Sequence, residues 1–375
     1  MNKVNYPKDS KELVKFEQSY RDCLDISKIV EINKHLNKIL YKGKLLDFDS
    51  LVTYSFEDLI DLDKIISKYS KKLNVTKKVK SKKIIENKFE NLFDYKCNQP
   101  KIADFFMKKD YFNFKVCHYC GIEYINAFTD LDDYFDGLDF LNKADIYDLQ
   151  IVKGIGKERA QSIIDKRNIT KFNDIDEIGL TKNIRDEIKR FDFKNGHNHF
   201  TLDHVIPQKT HKFYSLCLYN FVPSCFSCNS KFKKAKEFIL NDDLKKISPT
   251  SNLYSFTDDF KFKLYYKREL KKIKTNSDFV VEKTILSNDA QIRQFLSIFK
   301  INGRYVFHKD QVLRLVEKKI MYPNTKIKEL SKKTGKSIEV LKREIFGEEL
   351  FDKLNSDLPF IKLKKDIAIQ LKIIK

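Results

Sequence analysis

Two Cys-x-x-Cys pairs, Cys117-His118-Tyr119-Cys120 and Cys225-Phe226-Ser227-Cys228, stand far apart in the chain. Between them lies Leu202-Asp203-His204-Val205-Ile206-Pro207. A Cys-x-x-Cys turn aims two thiolates at one point, and two such turns supply the four ligands of a structural zinc, each about 2.3 Å from the metal. The Asp-His pair offers different chemistry. A neutral imidazole can take a proton near neutral pH, and a neighbouring carboxylate can hold a hard divalent ion. A lone Asp-His dipeptide is ordinarily a core or surface pair; here Pro207, Asn220, Val222-Pro223 and the second Cys pair follow it.

These residues need elements to position them. Tyr111 to Val116 alternates like a strand leading into the first Cys pair, and Tyr124 to Phe128 follows it. His199 to His204 reads as another strand, and Tyr219 to Ser224 runs into the second pair. Asn229 to Leu240 reads as a helix. The order is strand, strand, helix around a metal.

The flanks are mostly helical. Leu13, Phe16 and Tyr20 recur at helical spacing, as do Ile29, Ile32, Leu36 and Leu40, and a further helix starts near Phe56. The lysines around Lys77–Lys83 read as a connector or a solvated helical face. Beyond residue 240, strands are expected at Leu253–Phe256, Phe260–Tyr266 and Phe279–Leu286. Helices follow, one carrying Ile292, Phe295, Leu296 and Phe299, another Val312, Leu315 and Val316, and two shorter ones after Pro323. The expected class is α+β, mostly helical.

Composition narrows the function. With 375 residues there is room for two or three cores. The net charge of +20 favours a polyanion such as nucleic acid, although a Lys-rich, Arg-poor chain carries such a surplus on compositional grounds alone. No membrane-length apolar run or secretory leader is visible, so the expectation is a cytoplasmic protein with no membrane partner. Seven cysteines in such a chain read as a metal site plus single thiols, with Cys23, Cys97 and Cys217 expected as buried apolar residues. His118, His197 and His199 read as polar surface residues rather than ligands.

The set Cys117–Cys120, Leu202–Pro207, Tyr219–Pro223 and Cys225–Asn229 resembles the HNH, or ββα-metal, endonuclease family. The resemblance covers 115–130 and 198–240. It implies a zinc-stapled nuclease core with Zn2+ on Cys117, Cys120, Cys225 and Cys228. It also implies His204 as general base, Asp203 as ligand of a catalytic Mg2+ or Mn2+, and Asn220 as the residue orienting the base and the turn. Asn229 stands where many members carry the last His, so the chain resembles an H-N-N variant, which implies Asn229 as the second residue for the divalent ion.

The stretch 131–195 reads as an insertion between those elements. Its Gly154-Ile155-Gly156 turn, followed by Lys157 and the apolar Ala160, Ile163 and Ile164, resembles the helix-hairpin-helix motif. A weaker echo runs from Phe172-Asn173-Asp174-Ile175 to Ile178-Gly179-Leu180, so the insert resembles the tandem form of that module. Backbone amides at Gly154, Ile155, Gly156 and Lys157, beside a helix start, suit a phosphate of duplex DNA. The acids Asp132, Asp133, Asp136, Asp139, Asp145 and Asp148 argue against a broadly basic surface there.

The expected organisation is therefore 1–95, helical; 96–130 with 196–242, the split nuclease core; 131–195, the inserted module; and 243–375, strands then helices. Tyr305, His308-Lys309-Asp310 and Phe360 to Asp366 are similar to a pattern in HNH nucleases of bacterial anti-phage defence, where such a nuclease works beside an ATPase partner. The function implied is metal-dependent cleavage of DNA. The residues leave open a non-catalytic zinc-binding DNA module and an RNase.

Overall fold

The computed structural model describes residues 2–25, 27–74, 92–108, 111–112, 114–128, 134–171, 179–190, 197–267, 269–287, 289–352 and 357–375. The chain is α+β, with many helices and a few two-stranded antiparallel ribbons. Among the described residues no helix is long and apolar enough to cross a membrane. The chain forms two units, Met1–Asn126 with His199–Lys375, and Ala127–Asn198. The insertion expected at 131–195 lies inside the second. Lys77–Lys83, Asp132, Asp133 and the residues of the weaker hairpin echo before Gly179 lie outside the described residues.

In the first unit, helix Ser10–Cys23 starts at Asp9, whose side chain accepts from the amides of Lys11 and Glu12. It buries Phe16 and Tyr20 against Phe105 of helix Tyr95–Met107, with ring centroids 5.3 and 5.1 Å apart. Asp94 caps that second helix through the Cys97 amide. The packing fixes the helix start, and with it Tyr95, beside His204.

Strand Thr201–His204 pairs antiparallel with Phe221–Ser224, setting Asp203 opposite Val222 and His204 opposite Phe221. The other expected strands are only partly present. Among the described residues, Tyr111–Val116 contributes a single bridge, Val116 to Tyr124, and of Tyr124–Phe128 a strand appears at Ala127–Phe128. Leu253–Phe256 is a turn leading into a 3-10 helix, Phe256–Asp258. The helix expected over 229–240 is a short π-type turn, Ser227–Lys233, closed by Lys234 at φ 48.

The long hairpin is as the period-two pattern predicts. Phe260–Tyr266 pairs with Phe279–Ile285, with Phe260, Phe262, Leu264, Phe279 and Val281 buried. Helix Ile361–Gln370 covers the edge of the hairpin. The Phe262 amide donates to Asp366 Oδ2 at 2.9 Å, and Gln370 both accepts from and donates to the Leu264 backbone. Side chains thus satisfy backbone groups that an open edge would leave unpaired.

The second unit has its own core, including Phe140, Leu149, Val152, Ile155, Ala160, Ile163, Leu180, Ile184 and Ile188. The acids that spoke against a basic surface have local work: Asp136 and Asp145 cap helices Gly137–Lys143 and Ile146–Leu149, and Asp148 accepts from the Tyr134 hydroxyl. Gly154 has φ +96, and a Cβ there would lie 3.1 Å from Ile184 Cδ1. Gly156 has neither constraint. Gly154→Ala should therefore lower the stability of this unit by about 1–3 kcal/mol, and Gly156→Ala, at the N-cap of helix Lys157–Asp165, by less. Denaturant unfolding of the full chain, followed by hydrogen exchange at Ala160 and Ile163, checks this.

Candidate metal centre and hydrolytic cleft

The first Cys pair sits on a turn closed by backbone bonds from Cys117 N to Glu123 O and from Gly121 N to Cys117 O, both 2.9 Å. Gly121 takes φ +63, the left-handed conformation that the turn requires. The second pair leaves strand Phe221–Ser224 and enters the π-type turn. All four thiols are buried, and their sulfurs lie within 4.8 Å of one another, Cys120 and Cys225 being 4.0 Å apart. A tetrahedral zinc with Zn–S of about 2.3 Å needs sulfurs about 3.8 Å apart. The donor set fits such an ion.

Burial pushes the Cys117 and Cys228 thiols well up. Burial opposes the Cys120 thiolate too, but hydrogen bonds with the other three sulfurs and the Arg304 charge hold Cys120 well below the ordinary thiol value. Arg304, on helix Ile301–Phe307, donates to Cys228 Sγ at 3.2 Å and to Cys120 Sγ at 3.5 Å. It also pairs with Glu123 at 2.6 Å, and Glu123 accepts from Ser227 of the second turn. Zinc with four thiolates carries a formal charge of −2, so the half-buried Arg304 guanidinium would offset half of it.

The neighbouring Tyr305 hydroxyl donates to Cys120 O at 2.6 Å, and the Phe360 amide donates to Gly121 O at 2.8 Å. The downstream residues singled out in the sequence thus clasp the first Cys turn.

His204 lies 7 % exposed. Its Nε2 is 2.9 Å from Ser215 O, and a carbonyl can only accept, so Nε2 carries the proton and Nδ1 the lone pair. Tyr95 meets the ring edge-on at 4.6 Å, and Phe221 is tilted against it at 4.7 Å. Burial holds the pKa down at about 4, against the pull of the Ser215 bond and the Asp203 charge. The imidazole is neutral at physiological pH.

Asn220 does not hold this ring. Its amide donates to Ile206 O and Tyr214 O and accepts from Ile206 N, which uses both amide protons. It fixes the turn after the strand and the segment ending at Ser215, whose carbonyl holds the ring.

Asp203 is 5 % exposed and fully engaged. Lys233 Nζ lies 2.9 Å from Oδ1 and 2.8 Å from Oδ2, and the Tyr119 hydroxyl donates to Oδ2 at 2.5 Å. Burial, then the Asp203 charge, pushes the Tyr119 pKa far up, so the phenol keeps its proton. Asn229 Nδ2 makes a long bond to Leu202 O, 3.4 Å. Asp203 and Asn229 line one cleft, but the Lys233 ammonium lies within 2.9 Å of both carboxylate oxygens, so this arrangement does not fit a divalent ion on Asp203.

The cleft has a volume of about 770 Å³, and Lys96, Lys209, Lys212 and Lys234 line it beside Asp203 and His204. Gly154, Ile155, Gly156 and Lys157 belong to the other unit. Ile155 is a core residue there, and helix Lys157–Asp165 begins at Gly156 with no side-chain cap.

Other expectations fail on burial. His118 is buried, with Nδ1 donating to Asn2 O at 3.0 Å, because the Cys turn carries it inward. Cys97 is exposed and Cys23 half-buried, leaving Cys217 as the buried single thiol. His199 is exposed as expected. Tyr119, Ser215, Lys233 and Arg304 escaped the sequence reading. Tyr119 and Lys233 had a signal in their places within and just after the Cys pairs; Arg304 had none.

The chain has no match among known families, curated proteins or solved structures.

If Arg304 offsets the thiolate charge, Arg304→Ala should weaken zinc affinity roughly 10- to 100-fold and Arg304→Lys less. Competition for zinc with a chromogenic chelator measures this.

Proposed function

We propose that this chain hydrolyses phosphodiester bonds of DNA at the Asp203–His204 strand, in the manner of the HNH endonucleases it resembles. The observation that carries the reading is the state of His204. It is a neutral imidazole with its proton fixed on Nε2 by Ser215 O, in a cleft lined by Lys96, Lys209, Lys212 and Lys234. Lysines attract a phosphate backbone, and the imidazole can serve as a base.

In this reading water attacks phosphorus while Nδ1 takes its proton. The bond from water oxygen to phosphorus forms, the bond to the leaving sugar oxygen breaks, and that oxygen leaves with the electron pair and takes a proton from solvent water. The Nε2–H bond to Ser215 O keeps the ring in place as it becomes an imidazolium. Asp203 and Asn229 are the residues proposed for Mg2+ or Mn2+, but the Lys233–Asp203 pair stands against that part, and no step here relies on the ion. Zinc would have a structural role only.

The exposed start of helix Lys157–Asp165 supports duplex binding by the inserted unit, since uncapped amides at a helix N-terminus can donate to phosphate oxygens. The resemblance to anti-phage nucleases supports a role in defence against foreign DNA beside an ATPase partner. A non-catalytic DNA-binding module is the competing reading, favoured by the fully paired Asp203.

The test is cleavage of supercoiled plasmid in Mg2+ or Mn2+ by wild type and His204→Ala, with zinc content measured in both. The substitution should slow cutting roughly 10²- to 10⁴-fold without loss of zinc. Equal rates, or binding without cutting by wild type, would favour the competing reading.

A further inference from the structure

Lys233 is the least expected group in the cleft. It is 2 % exposed; its ammonium donates to Asp203 Oδ1 at 2.9 Å and to His204 O at 2.6 Å, and lies 2.8 Å from Asp203 Oδ2. The backbone is shaped to deliver it. Ser227–Lys233 is a π-type turn, and Lys234 N bonds back to Asn229 O across five residues at 2.9 Å. Such turns are rare and cluster at functional sites. Lys234 then takes φ 48, ending the helix with Lys233 turned inward.

A divalent ion on Asp203 would sit about 2.0–2.6 Å from a carboxylate oxygen. Both oxygens already face the ammonium, and two cations cannot share so small a buried space without strong repulsion. The same turn carries Cys228 and Asn229, so the zinc cage anchors the lysine as well.

We propose that Lys233 is the resident cation of this cleft and competes with a divalent metal ion for Asp203, so that an ion binds only as the ammonium leaves. The lysine is a positioning residue that holds the Asp203 carboxylate and sets the threshold for ion entry. This rests on the reading of Asp203–His204 as a hydrolytic site.

The test is Mn2+ binding to the full, zinc-loaded chain, followed by the electron paramagnetic resonance of free Mn2+. Lys233→Met should bind Mn2+ more tightly than wild type by roughly 5- to 150-fold, the range of an ordinary coupling between two sites. Asp203→Asn should abolish that gain. Equal or weaker binding by Lys233→Met, binding that survives Asp203→Asn, or no Mn2+ binding by either protein would overturn the proposal.

Removing the ammonium leaves a buried carboxylate without its counter-charge and costs stability, so a second measurement uses wild type alone. Acetylation of Lys233 by an amine-directed reagent, read by peptide mass spectrometry, should be slow without Mn2+ and rise with it. Unchanged labelling would overturn the proposal. Plasmid cutting that depends on His204, with no ion exchange at Lys233, would reject the competition and leave the hydrolase reading standing. Ion exchange without cutting would do the reverse.

Discussion

Four buried sulfurs from two distant turns must come within 4.8 Å of one another, and much of the first unit's site follows from that meeting. The turns do more than supply thiols. Tyr119, inside the first, donates to Asp203, while Lys233, closing the helical turn of the second, pairs with the same carboxylate. Glu123 of the first accepts from Ser227 of the second. A zinc ion held by the four thiolates would thus fix the carboxylate of the cleft from two sides. The two-stranded ribbon carrying Asp203 and His204 is too small to hold such positions unaided.

The flanking segments act on this centre. The N-terminal helices bury an aromatic cluster around Phe16, Tyr20 and Phe105, which seats Tyr95 on His204. From the other end of the chain, Arg304 lies on two sulfurs, and Tyr305 and Phe360 hold the backbone of the first turn. These contacts make the flanks part of the site's support. They also explain why the His204 imidazole is neutral: the rings around it exclude the water that would solvate an imidazolium.

The cysteine pairs were legible because a four-thiolate cage imposes spacing that sequence displays directly. The long hairpin was legible because burial on one face forces a period of two. What failed was local structure overridden by the centre. The helix expected over 229–240 stops at Lys233 because that turn delivers a lysine to a carboxylate. Tyr111–Val116 has a strand-like pattern, yet Phe112 and Phe114 serve as packing rings beside Phe106. Arg304 and the Ser215 carbonyl were invisible, since neither has a spacing rule and one is backbone. His118 was misjudged because a buried turn overrides the usual preference of histidine for the surface.

The account turns on one claim, that Cys117, Cys120, Cys225 and Cys228 hold a single zinc ion. X-ray absorption at the zinc edge on the purified full chain, with metal stoichiometry by native mass spectrometry, tests it most directly. The account predicts one zinc per chain with four sulfur neighbours at about 2.3 Å. A chain that binds no zinc, or a spectrum with nitrogen or oxygen in place of any of the four sulfurs, would contradict it.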